Sequence, residues 1–272
     1  MKLLKMLTVL ATVLVVTLNL TLILASGKLD GKAPELSVPD GVLELSVGAS
    51  EEEYMKDVTA WDNRDGDISD QVLLEHISQF TGENTVKVTY GVFDRAGNGT
   101  TATRTVRYTD YAGPRFQLSR PLRYGLGRTV TLMDRLTAWY TMDGEITNKV
   151  RITSPNLSND IAGIYRIRVQ VTNSLGDTRV LELPVLIEEI TGNTPEITLT
   201  DYIVYVERGA KFDPEDYLEA VTDPAAEKDP SRSRVEIQSQ VDTEQPGTYD
   251  VVYSYNGEKA DTQVLLTVVV MA

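Results

Sequence analysis

The feature that most constrains this chain is an internal repeat. Asp65-Gly-Asp-Ile-Ser-Asp-Gln-Val72 returns as Asp143-Gly-Glu-Ile-Thr-Asn-Lys-Val150, and each copy is followed by a run of alternating apolar residues. Gly163-Ile-Tyr-Arg-Ile-Arg-Val-Gln-Val171 is one such run, and Gly247-Thr-Tyr-Asp-Val-Val-Tyr253 in a third block is another. A period of about 80 residues is too long for a solenoid unit and suits a small β-sandwich. The pattern predicts an all-β chain: three tandem sandwich domains, residues 33–111, 114–190 and 195–272, behind an N-terminal hydrophobic helix.

In the first block Val86, Val88, Tyr90 and Val92 alternate with Lys87, Thr89, Gly91 and Phe93, a period-2 strand with one face buried. Asp94-Arg-Ala-Gly-Asn-Gly99 then turns and Thr100 to Tyr108 returns, completing a hairpin. The second block places Tyr165, Ile167, Val169 and Val171 inward before a turn at Asn173 to Asp177. The third has Tyr249, Val251, Tyr253 and Tyr255 before a turn at Asn256-Gly257. Each block opens with a proline, Pro34, Pro114 or Pro195, which suits an edge strand because the missing N–H costs nothing there. No long 3.6-residue apolar period occurs, so helices should be minor. The linkers, 110–113 and 191–194, are short, which predicts limited bending. Three sandwiches end to end would form a rod of about 100 Å.

Met6 to Ala25 is a stretch of 20 residues without charge, preceded by Lys2 and Lys5. As a helix it would span about 30 Å, the hydrocarbon thickness of a bilayer, with the lysines on the cytoplasmic side. The alternative is a cleaved signal peptide, although cleavage after Ala25 would put Ile23 where a small residue is wanted. Residues 1–27 are therefore read as a signal anchor or a signal peptide. The remainder is expected outside the cytoplasm, on a single-pass membrane anchor or secreted.

The chain has no cysteine and one histidine, His76, which removes disulfides, thiolate metal sites and most histidine-based catalysis or zinc chemistry. The net charge of −14 argues against nucleic acid as a partner. The charge is uneven. Residues 112–191 carry 10 Lys and Arg against 8 Asp and Glu, whereas residues 192–272 carry 6 against 16. Nine of the ten middle cations are arginine, which is either a solvated basic face or a surface for anions or an acidic partner.

Ala60-Trp-Asp-Asn-Arg-Asp-Gly-Asp-Ile68, the strand of alternating Val and Tyr ending at Asp94, and Ala96-Gly97-Asn98 together resemble the bacterial Ig-like domain family. Such modules recur in Gram-positive surface proteins and are appended to some pesticidal crystal toxins. The resemblance is close over 33–111. It is fair over 114–190, where Ser174-Leu-Gly176 replaces the Ala-Gly-Asn turn. It is weakest over 195–272, where Thr222-Asp-Pro-Ala-Ala-Glu-Lys-Asp-Pro230 replaces Asp-Gly. It implies an Ig-like sandwich and is nearly silent about function.

Asp62, Asp65 and Asp67 offer clustered carboxylates of the kind Ca²⁺ takes, or they shape a turn through their own backbone. Tyr165 and Tyr249, each two residues after a glycine, are placed to pin a corner by bonding backbone. Trp61 and Trp139 are equivalent; core packing is expected, with an exposed sugar-stacking platform as the alternative. His76 reads as a surface or strand residue. Arg151, Arg166 and Arg168 take the outward phase of adjacent strands and would share one face able to meet carboxylate or phosphate. No nucleophile elbow, phosphate-binding glycine loop or HExxH motif is present, and a glycosidase carboxylate pair is a remote alternative because a small sandwich rarely encloses a cleft. The sequence reads as a non-catalytic protein for cell-surface adhesion or ligand binding. Its partners would be a cell-wall glycan, an acidic surface polymer or another surface protein. A structural spacer of the envelope is the rival reading.

Overall fold

The structure, a computed structural model, describes residues 11–19, 21, 31–153, 156–228 and 230–271. Two compact units form, residues 1–111 and 112–272. Residues 11–19 and 21 are helical. Their polar side chains fold back on the helix: Thr17 Oγ1 donates to the Val13 and Leu14 carbonyls, and Asn19 Nδ2 to that of Val15. Such back-bonding lets Thr and Asn sit in an apolar helix with their donors satisfied. The rest of the Met6–Ala25 span lies outside the described residues. Among the described residues no helix is long and apolar enough to cross a membrane.

The first unit contains β1 (Glu35–Ser37), β2 (Val42–Leu45), β3 (Thr59–Asp62), β4 (Gly66–Asp67), β5 (Leu73–Ile77), β6 (Thr85–Phe93) and β7 (Gly99–Tyr108). They form a small sheet, β1-β3-β4, and a larger one, β2-β7-β6-β5. Pro34 immediately precedes β1, which is an edge strand as expected. The inward phase of β6 is the predicted one: Val86, Val88, Tyr90 and Val92 are all buried. The core tyrosines satisfy their hydroxyls internally. Tyr90 OH donates to the Tyr54 carbonyl at 2.7 Å, and the Tyr54 and Tyr108 hydroxyls pair at 2.9 Å. A buried phenol without such a partner would destabilise the core.

The second unit repeats this order twice, the second time without a counterpart of β4. Its first sandwich has β8 (Arg115–Leu118), β9 (Arg123–Gly125), β10 (Leu136–Tyr140), β11 (Gly144–Glu145), β12 (Arg151–Thr153), β13 (Gly163–Thr172) and β14 (Thr178–Glu188). The next has β15 (Glu196–Leu199), β16 (Ile203–Val206), β17 (Leu218–Thr222), β18 (Glu236–Ser239), β19 (Gly247–Asn256) and β20 (Asp261–Val270). The sheets are β11-β10-β8 with β12-β13-β14-β9, then β15-β17 with β16-β20-β19-β18. In all three sandwiches the second strand runs parallel to the last, while the long hairpin beside it is antiparallel. The fold is thus all-β with Ig-like sandwiches, within which the helices are short turns.

The sandwiches of the second unit touch along their flanks, which corrects the end-to-end expectation for this pair. Arg166 on β13 forms an ion pair with Asp250 on β19. Tyr205 OH, on β16, accepts from Phe116 N on β8 at 2.7 Å, and the Arg115 guanidinium lies 5.1 Å from the Tyr205 ring centre. Pro184 and Leu186 on β14 share a small crevice with Gln263 and Leu265 on β20. Linker length sets the reach between domains, but these apolar and charged flank residues set their packing.

Candidate functional site

The repeated Asp-Gly motif proves to be a staple between sheets. Gly66 and Gly144 take φ of +78° and +69°, which a side chain would strain, and so close the turns β3–β4 and β10–β11. Asp65 Oδ2 accepts from Arg95 N at 2.8 Å in the β6–β7 turn. Asp143 Oδ2 accepts from Ser174 N at 2.8 Å in the equivalent β13–β14 turn, and its Oδ1 accepts from Ser174 Oγ. Each aspartate therefore ties the small sheet's turn to the large sheet's hairpin. The third sandwich lacks Asp-Gly yet keeps the tie. Asp223, just after β17, accepts from Glu258 N at 3.1 Å and Tyr255 OH at 3.2 Å through Oδ2, and from Ala225 N at 2.9 Å through Oδ1. Motif matching missed Asp223 because it reaches the hairpin from one residue past the strand and not from the turn itself.

Burial opposes ionisation of Asp143, but the bonds from Ser174 and Lys149 outweigh it and hold its carboxyl below the usual range. Asp223 behaves likewise: burial raises its pKa, and the Ala225 and Glu258 N–H groups with Tyr255 OH lower it further. Asp62 is lowered by the N–H groups of Asp65 and Arg64, and Asp67 by the hydroxyl and N–H of Ser69. Each of the three residues considered for Ca²⁺ thus gives one oxygen to donors of its own, while Asp62 Oδ2 is buried without a hydrogen-bond partner among the described residues. Asp62 Oδ1 accepts from Arg64 N and Asp65 N, Asp65 from Arg95 N, and Asp67 from Ser69. Among the described residues no group of three or more His, Cys, Asp or Glu is arranged to hold a metal ion.

Tyr165 OH donates to the Ile161 carbonyl at 2.8 Å and Tyr249 OH to that of Gln245 at 2.9 Å, the same corner pin in two sandwiches. His76 is an exposed residue of β5, opposite Thr89.

The two tryptophans overturn the core-packing expectation. Trp61 is 61% and Trp139 52% exposed. On β3 the inward positions belong to Ala60 and Asp62, and on β10 to Leu136, Ala138 and Tyr140, all buried. Strand alternation then sends both indoles outward. The register puts Trp61 between Glu35 and Asp67, and Trp139 between Arg115 and Glu145. Each indole thus stands on a small-sheet outer face with a carboxylate beside it. Thr222 occupies the equivalent position of the third sandwich, opposite Glu196.

Arg151, Arg166 and Arg168 do take the outer face of the β12-β13-β14 sheet. Arg151 lies opposite Gln170, and Arg168 lies between Thr153 and Glu182. Arg166, however, is engaged by Asp250. A different arginine group gathers where the second and third sandwiches meet: Arg120, Arg123 and Arg135 line a cleft of about 280 Å³ with Thr194 and Glu196.

Residues 197–270 match the family model described as bacterial surface protein, Ig-like domain. The chain is 28% identical over 140 residues to the pesticidal crystal protein Cry22Aa of Bacillus thuringiensis, a match that covers 49% of this chain and 18% of that protein. A solved structure of the M60 catalytic domain with the CBM51-1 and CBM51-2 domains from Clostridium perfringens ZmpB is similar at 16% identity and a TM-score of 0.24, over 87% of this chain and 30% of that one. Drosophila N-cadherin EC1-3 is similar at 13% identity and a TM-score of 0.28, over 70% and 78%. Likeness at this level carries no functional argument. The family match falls on the block whose resemblance by motif is weakest, since strand pattern carries the family there and Asp-Gly does not. Over residues 197–270 the third sandwich is thus similar to the bacterial surface protein Ig-like domain family.

Proposed function

We propose that this chain is a non-catalytic surface protein of three Ig-like domains, 33–111, 114–190 and 195–272, whose first two domains bind a cell-wall glycan through Trp61 and Trp139. The observation that carries this reading is the recurrence of an exposed indole at one register position in two sandwiches. A single half-exposed indole needs no explanation, but its recurrence at the same register position of two sandwiches supports a partner that covers it. A sugar ring presents an apolar C–H face to an indole, and the carboxylates of Glu35, Asp67 and Glu145 beside the rings would accept hydrogen bonds from sugar hydroxyls. The family match supports a place outside the cytoplasm. Met6 to Ala25 supplies the membrane anchor in this reading, supported by its length and lack of charge.

The test is retention on purified insoluble cell-wall glycan of the parent, Trp61→Ala, Trp139→Ala and the double variant. With about 1 kcal/mol from each stacked indole, each single change should weaken binding about fivefold, and the double more, because avidity is lost with the second site. Equal retention of parent and double variant, both folded, would overturn the reading and leave the envelope spacer.

A further inference from the structure

We infer that the cleft between the second and third sandwiches is a binding site for a phosphoryl group, independent of the tryptophan faces. Arg120, Arg123 and Arg135 of the second sandwich line its volume of about 280 Å³ together with Glu196 and the linker residue Thr194. Three guanidinium groups in one concavity are notable in a chain of net charge −14. Their mutual repulsion is only partly offset by Glu188, which pairs with Arg123, and by Glu196, so the cleft keeps a positive excess that favours an anion. Two of the three guanidiniums, those of Arg123 and Arg135, are held in place before any ligand arrives. Arg123 Nε donates to Glu188. Arg135 Nη1 donates to the Pro121 carbonyl and, at 2.9 Å, to that of Arg123, while its guanidinium lies 4.1 Å from the Tyr124 ring centre. The linker wall is fixed too: Thr191 N donates to Thr194 Oγ1 at 2.8 Å, and Thr194 N to the Thr191 carbonyl at 3.2 Å. Preorganised arginine forks match phosphoryl oxygens and lose little freedom on binding. The cleft is roomier than a lone phosphate needs, so a phosphodiester of an anionic polymer fits as well as the free ion.

The test uses the full chain and two probes, inorganic phosphate and purified polyglycerol phosphate, each against sodium chloride at matched ionic strength. Calorimetry reads affinity and thermal unfolding reads stabilisation, since a ligand of the native junction alone stabilises by mass action. Arg120 is exposed, so Arg120→Gln leaves the core untouched. It should weaken binding about tenfold, whereas a double Arg151→Gln, Arg168→Gln variant, which removes more charge from the outer sheet face, should bind as the parent does. Binding of the polymer alone would assign the site to a phosphodiester, and binding of both probes to the phosphoryl group in general. The inference is overturned if neither probe exceeds chloride, if Arg120→Gln binds as the parent does, or if the outer-face double variant weakens binding as much as Arg120→Gln.

Discussion

Replacing Asp143 with alanine should destabilise the second sandwich by about 2 kcal/mol. Three interactions make up the loss. The charge-assisted bond from Ser174 N is the largest, at the low end of the usual range of about 1.5–3 kcal/mol, because Ser174 is exposed and its freed N–H regains water. The Ser174 hydroxyl adds about 0.5 kcal/mol for the same reason. Lys149, 3.3 Å away with a side chain 46% exposed, adds only about 0.3 kcal/mol after solvent screening. Asp143→Asn keeps one acceptor for the Ser174 N–H and loses the charge, so about 1 kcal/mol should go. The chain has two tryptophans, so in a Trp61→Phe background the emission of Trp139, whose strand β10 pairs with the stapled turn, follows urea unfolding of this region. A loss below about 0.5 kcal/mol for Asp143→Ala, or equal losses for Ala and Asn, would refute the staple as a charge-assisted tie.

The folded-state pKa values of Asp143 and Asp223 are lowered, so their contribution is present above the unfolded carboxylate pKa of about 3.9 and is lost as pH falls through the folded values. Acid titration of unfolding midpoints should therefore show a shallower acid limb for Asp143→Asn than for the parent. Asp223→Asn should disrupt the third sandwich selectively, leaving Trp61 emission unchanged while hydrogen exchange accelerates in the β19–β20 hairpin. A double-mutant cycle of Arg166→Gln and Asp250→Asn should give a coupling of about 1 kcal/mol, since the Asp250 side chain is only 13% exposed while that of Arg166 is 53% exposed. Zero coupling would mean that the ion pair adds nothing and that the Tyr205 contacts and apolar packing hold the two sandwiches together.

Where one strand face is buried, the sequence declares it. The Val86-Val88-Tyr90-Val92 phase, its counterparts on β13 and β19, the hairpin turns and the proline-led edge strands were all legible from alternation and turn chemistry. The tryptophans were not, because their size argues for burial while strand phase is decided by smaller neighbours, Ala60 and Ala138. Asp223 was hidden because it stands directly after Thr222, whereas Asp65 and Asp143 stand further along the turns that follow the equivalent Trp61 and Trp139. The partner of Arg166 was hidden by distance along the chain, since nothing local to β13 points to Asp250 on β19. The arginine cleft was hidden in the same way: Arg120, Arg123 and Arg135 share no strand, and it takes the fold of the second sandwich, with Arg135 bonded to the Pro121 and Arg123 carbonyls, to bring them to one cleft.

The most direct test of the binding reading is emission from single-tryptophan variants, Trp61→Phe and Trp139→Phe, titrated with soluble cell-wall glycan strands. If a sugar ring covers each indole, the remaining tryptophan in each variant should shift its emission to the blue and become resistant to acrylamide quenching, with the same midpoint as binding measured by calorimetry. Unchanged emission and quenching at both positions at saturating glycan would contradict the account, because the glycan would then be held elsewhere or not at all.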